Sequence, residues 1–161
     1  MASPGRDLIL DNIVTVLGTI TVAAGYKTTV TTVARGFRDW AEMGASELPA
    51  IQVWPGRCRY KEGYLPFSQI RAVLEVRILA HVTAATLTAK QDALAAIEDD
   101  IIAALSLDTK RGGSAAEPNA ISTTVVESGT DEGDDSVNSE GGTGSIGMLV
   151  EVVFMRSTAS T

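Results

Sequence analysis

Apolar and polar residues alternate most regularly over IRAVLEVRILAHV, residues 70 to 82. The even positions, Ile70 through Val82, are all apolar, and the odd positions include Arg71, Glu75, Arg77 and His81. A period of two predicts a strand with one buried face and one mostly polar face. Thirteen residues exceed the usual strand length, so this strand is expected to outrun its own sheet and reach a neighbour. Two other stretches repeat at 3 and 4. Leu10, Ile13, Leu17, Ile20 and Ala24 form one stripe, with Ile9 at its border, and predict a helix over 4–24. Ser3-Pro4 supplies its start and Gly25 its stop. Leu8 does not fit the stripe, because it lands near Thr15. Leu94, Ile97, Ile101 and Leu105 predict a second helix over 86–108, opened by a capping box at Thr88 and Gln91. Asp92, Glu98, Asp99 and Asp100 lie mainly off that stripe.

The remaining segments favour strands. KTTVTTVARGF (27–37) is rich in threonine and valine. PAIQVW (49–54) is interrupted by Pro55-Gly56. A strand passing straight through would place Ile51 and Val53 on one side with Arg57, Arg59 and Lys61. A bulge at Pro55-Gly56 would flip the parity and resolve the conflict. AISTTVVES (120–128) and SIGMLVEVVFMR (145–156) are the last two strands. The second is apolar on both faces and therefore expected in the sheet interior. Residues 38–48 read as a connection with room for one helical turn, 109–119 as a polar connection, and 157–161 as a loose tail. The order α-β-β-β-α-β-β predicts one α+β domain spanning 1–161, with a mostly antiparallel or mixed sheet of about five strands covered by two helices.

Charge changes this picture in one place. The chain has 161 residues and a net charge of -7. Glu127, Asp131, Glu132, Asp134, Asp135 and Glu140 supply -6 of it from the stretch ESGTDEGDDSVNSEGG, which contains no base. The imbalance is therefore local. The loop expected over 128–144 is also far longer than the roughly 2–5 residues of an ordinary hairpin connection. Five basic residues, Arg57, Arg59, Lys61, Arg71 and Arg77, fall on consecutive strands with Tyr60 and Tyr64 nearby. They form a candidate patch suited to acids of another subunit; a solvated sheet face is the plainer alternative. The overall negative sign argues against duplex binding.

No residue pattern carries catalysis. His81 is the only histidine and reads as an ordinary strand-end residue. Cys58, the only cysteine, reads as a small buried side chain and excludes an intrachain disulfide. RGGSAAE (111–117) lacks the lysine and spacing of a phosphate loop, and GGTGSIG (141–147) precedes a strand, so it reads as flexible loop. The acidic stretch fails the EF-hand spacing, because counting from Asp131 puts Gly133 at position 3 and Gly142 at position 12. An irregular calcium site built from these acids is the rival reading from another class. Asp7 and Asp11 interrupt the first apolar run, so neither a signal peptide nor a membrane span is expected. No enzyme activity and no cofactor are expected, and cytoplasmic synthesis is the default.

DNIVTVLGTITVAAGY, ELPAIQVWPG and IRAVLEVRILAHV followed by LTAKQDALAAIEDDIIAALS resemble the tail-terminator proteins of long-tailed bacteriophages, also called minor tail or tail-completion proteins. The resemblance covers nearly the whole chain and rests on element order and a proline-led middle strand. It implies a structural virion protein assembled in the host cytoplasm: a homohexameric ring that caps the tail tube, ends tail elongation and meets the head-tail connector protein. Its partners would be copies of itself, the tail tube protein and the connector. Genomic DNA would pass through the lumen without specific binding. Small head-completion proteins of the neck share this size and element order and are the alternative. On the resemblance, six copies of the acidic stretch place roughly -36 around one annulus, where they would repel DNA or steer docking. No catalytic or metal residue is implied.

Overall fold

The computed structural model describes residues 5–39, 42–61, 69–113, 118–130 and 142–157. Two helices, α1 (Arg6–Leu17) and α2 (Leu87–Leu107), pack on one face of a five-stranded mixed sheet. Its strands are β1 (Thr32–Arg35), β2 (Ala50–Lys61), β3 (Gln69–Thr83), β4 (Ser122–Gly129) and β5 (Thr143–Ser157), in the order β1-β2-β3-β5-β4. β1 runs parallel to β2, and every other pair is antiparallel. The α+β class, the order of elements, the length of β3 and the interior place of β5 agree with the sequence, but β3 does not outrun its sheet, because β5 pairs with it along its whole length from Gln69 to Thr83. The even residues of β3 and β5 meet Ile9, Leu10, Ile13 and Leu17 of α1 and Leu94, Ile97, Ile101 and Leu105 of α2 in one buried cluster. Each buried aliphatic side chain contributes about 1.5–3 kcal/mol relative to exposure, and these contacts hold the two layers together.

The bulge at Pro55-Gly56 is present. Pro55 lies opposite Val76 and Cys58 opposite Leu74, so Gly56 and Arg57 together face Glu75. Cys58 then continues on the helix side, while Arg59 and Lys61 turn to the other face. A Cβ on Gly56 would stand 3.3 Å from Glu75 Cβ, so the close approach at the bulge favours glycine.

Four boundaries differ from the sequence reading. α1 stops at Leu17, where the Gly18 amide donates to the Val14 carbonyl, and the chain resumes as a 3-10 turn over Val22–Ala24. The β-branched run that follows disfavours continued helix, and Thr21, whose hydroxyl accepts from the Ala24 amide, starts the new turn. The expected start at Ser3-Pro4 lies outside the described residues. The 27–37 strand shrinks to Thr32–Arg35, because the amides of Lys27 and Thr28 donate to the Asp100 carboxylate at 3.0 and 2.7 Å. α2 is capped by Thr86, whose hydroxyl accepts from the Ala89 amide, and not by Thr88. Finally, β5 begins at Thr143 and β4 reaches Gly129, so GGTGSIG is strand from Thr143 onward. Gly144 is required by packing, since a Cβ there would lie 2.8 Å from Lys90 Cδ. The connection 38–48 does carry a 3-10 turn, Ala45–Glu47.

Two polar clamps close the helix layer. Arg35 on β1 donates to Asp11 at 2.8 Å and to Asp7 at 3.0 Å, tying the sheet edge to α1. Arg111, at φ 55°, folds its fully buried guanidinium under α2 and donates to the Leu105 carbonyl, a cation at a helix C-terminus. Burial lowers its proton affinity and Asp108 opposes that shift.

Candidate functional site

The face of the sheet opposite the helices carries the odd residues of β3 and β5. Among the described residues no layer covers most of it. Leu79, Leu149, Val153 and Met155 are half-buried there, beside Trp54 of β2. One end is partly sheltered by residues 36–39 and 42–47. Gln52, almost wholly buried, accepts from the Arg38 amide at 2.9 Å and donates to the Arg38 carbonyl at 2.6 Å. Phe37 meets Trp54 edge to face with ring centroids 5.5 Å apart. Arg38 reaches Glu47 at 2.7 Å, and the Gly44 amide donates to the same carboxylate at 2.7 Å. The Gly44 amide and then Arg38 hold the Glu47 carboxyl below its usual value. Next to this shelter lies a hollow of about 510 Å³ lined by Phe37, Trp54, Arg77, Leu79, Glu127 and Leu149, among others.

The five basic residues separate into groups. Lys61 and Arg71 are directly opposite each other at the far end of β2 and β3. Arg59, two residues back, bridges Glu75 and Glu151, which face each other across β3 and β5. Its charge therefore neutralises a like-charged pair inside the sheet. Arg57 sits in the bulge and is exposed. Arg77 lies six positions along from Arg71, opposite Trp54 and Leu149 and lining the hollow. Arg57, Lys61, Arg71 and Arg77 make no ion pair among the described residues. Arg156, absent from the sequence-based set, adds a further cation at the same end as Lys61 and Arg71: it is opposite Ile70, donates to the Tyr60 hydroxyl and stands 5.7 Å over that ring. Tyr60 itself is exposed. Only strand register reveals that Arg156 ends up beside Tyr60, on the face of the sheet opposite Lys61 and Arg71.

Asp131, Glu132, Asp134, Asp135 and Glu140 lie outside the described residues. Of the acidic stretch, Glu127 is described, opposite Leu149 on the open face just past a second bulge in β4. The strand ends that carry the stretch, Gly129 and Thr143, are at the end of the sheet away from Lys61 and Arg71.

His81 lies near the end of β3, on the face opposite the helices, as expected of a strand-end residue. It is buried, and its Nδ1 is 2.7 Å from the Ser145 hydroxyl. Its neighbours opposite, Ala50 and Ser145, supply no second base or carboxylate. Cys58, expected to be buried, is only half-buried and packs against the core. Among the described residues no three His, Cys, Asp or Glu side chains gather in a way that could hold a metal ion. No described helix is long and apolar enough to cross a membrane. A scan against protein-family models finds no match for this chain, and a search of curated proteins finds none either.

Proposed function

We propose that this protein is a structural virion component of the tail-terminator kind. Copies close into a homohexameric ring on the head-proximal end of a phage tail tube, stop its growth and offer a surface to the head-tail connector. The observation that carries this reading is the sheet face opposite the helices, most of which no layer covers among the described residues. A solvated antiparallel face normally alternates to polar residues, yet this one places Trp54, Leu79, Leu149, Val153 and Met155 at half exposure along strands of 12 and 15 residues. An apolar surface of that kind suits contact with a further copy. The resemblance of the element order and of the ELPAIQVWPG strand to tail terminators narrows the assembly from a generic oligomer to a tube cap.

The test is assembly without the protein. Tail tubes of uncontrolled length are expected, because nothing ends their polymerisation. Normal-length tails that fail to join filled heads would replace this reading with the head-completion one. Tails that are normal and joined would overturn both.

A further inference from the structure

We infer that the hollow on the open face of the sheet docks a segment of a partner protein, which lays an aromatic side chain on a floor of glycine between a basic and an acidic rim. The ring reading does not require this contact, and either can fail alone. Strand register builds the site from two adjacent rows. Trp54, Arg77, Leu149 and Glu127 form one row across β2, β3, β5 and β4. Leu79, Gly147 and Gly129 form the next row. Phe37 is exposed and stands edge to face on Trp54, closing one side with aromatic surface. The hollow measures about 510 Å³, within the roughly 300–1,000 Å³ of ordinary ligand pockets.

The glycine pair carries the argument. Gly147 lies inside β5, in unbroken register with Leu79 on one side and opposite Gly129 on the other. Glycine within a strand costs backbone entropy and leaves no side chain to pack. Neither Gly129 nor Gly147 takes a left-handed backbone. Crowding does not demand them either. A Cβ on Gly129 would meet nothing within 4 Å, and one on Gly147 only the Gly129 carbonyl oxygen at 3.8 Å. Gly144 differs, because Lys90 Cδ fills the space over it. The fold therefore gives no reason of its own for this pair, whereas close approach of an outside group does. An aromatic ring over a strand glycine restores the contacts that the missing side chain forfeits. Charge selects what accompanies the ring. Arg77 and Glu127 flank Leu149 two strands apart, about 10 Å between backbones, and neither makes an ion pair among the described residues. An extended segment shows every second side chain on one face, so an acid, an aromatic and a base at alternate positions match Arg77, the floor and Glu127. A second copy fits poorly. Among the described residues its exposed aromatic outside the hollow is Tyr60, which stands between Arg59 and Lys61 and under Arg156, bringing bases to a rim that needs an acid.

The probe is the capped peptide acetyl-Asp-Ser-Phe-Ser-Lys-amide, titrated into the full chain and followed by Trp54 fluorescence in a Trp40→Phe background. Gly147→Val fills the floor in open space, so its thermal midpoint should hold or rise while peptide affinity falls at least about tenfold. Alanine in place of the peptide's phenylalanine should have the same effect. Arg77→Gln and Glu127→Gln should each weaken binding by about threefold, as exposed ion pairs do, and added salt should shrink that difference. No saturable binding of the peptide, or equal affinity in Gly147→Val, would overturn the inference. A Gly147→Val protein that melts well below the parent would overturn it too, because the fold itself would then demand the glycine. Free phenylalanine that binds as tightly as the peptide would make the hollow an amino-acid pocket and remove the protein partner. Self-association that Gly147→Val abolishes would seat a second copy there, overturning the choice of partner while supporting the ring reading.

Discussion

Asp100 offers the sharpest test of how the helix layer is held to the chain around it. It is 4% exposed on α2, and its two carboxylate oxygens accept from the successive amides of Lys27 and Thr28 at 3.0 and 2.7 Å. A hydrogen bond to a charged group contributes about 1.5–3 kcal/mol. Lys27 is exposed, so water would replace part of what the Asp100→Ala variant loses. The expected cost is therefore about 2–4 kcal/mol rather than the full sum of two bonds. Asp100→Asn discriminates between causes. Asparagine keeps the shape and one acceptor but turns an N–H donor toward the second amide, leaving that amide unpaired. It should cost nearly as much as alanine. Urea unfolding at low protein concentration measures both, with assembly held to a minimum. In a thermal scan each 1 kcal/mol corresponds to about 3 °C for a chain of this size, so a fall of roughly 6–12 °C is expected. An Asn variant within about 0.5 kcal/mol of the parent would show that shape, not the paired acceptors, is what matters at this position.

Gly144→Ala should destabilise by about 1–3 kcal/mol, because its Cβ would fall 2.8 Å from Lys90 Cδ and 3.2 Å from Leu94 Cδ1; a neutral result in the same unfolding assay would mean that α2 yields to β5 without strain. Glu47 has a folded-state pKa below its ordinary 4.5, so its stabilising effect is complete above that value and is lost as pH falls through the lower folded value. In a Trp40→Phe background, Trp54 fluorescence should report release of the Phe37–Trp54 contact on acidification, and Glu47→Gln should remove that transition; an unchanged acid titration in the Gln variant would disprove the link.

Residues whose environment is local were legible in the sequence. The alternation from Ile70 to Val82 became β3 with its even side buried. The conflict between Ile51, Val53 and the three bases after them forced a bulge, and the register shift lies between Pro55 and Cys58. α2 was visible from its aliphatic stripe. What could not be read depended on distant partners. Nothing near Lys27 in the chain indicates that Asp100 takes its amide and ends any extended run there. The Gly-rich stretch before β5 looked like loop, because the buried Lys90 side chain that fills the space over Gly144 comes from a helix far earlier in the sequence. Thr86 and Thr88 both look like caps, and the choice was made by the chain's exit from β3. The alternation placed His81 on the correct side of the strand, but period two assigns a face and not what covers it, and His81 is buried.

The same limit applies to the candidate site. The basic residues were found by counting charges on two strands, but their division came only with register. Arg59 is absorbed by Glu75 and Glu151, Arg77 lines the hollow, and Lys61 and Arg71 are left together at the end. Arg156 and the Phe37–Trp54 pair carried no sequence signal beyond ordinary apolar and charged content. The acidic stretch stood out by composition, and most of it lies outside the described residues.

The central claim is a ring at the end of a tail tube, and imaging of assembled particles by cryo-electron microscopy tests it most directly. The account predicts six copies of this chain in a closed annulus at the junction of tail and head. Density for this chain elsewhere in the particle, or for a single subunit at the junction, would contradict it.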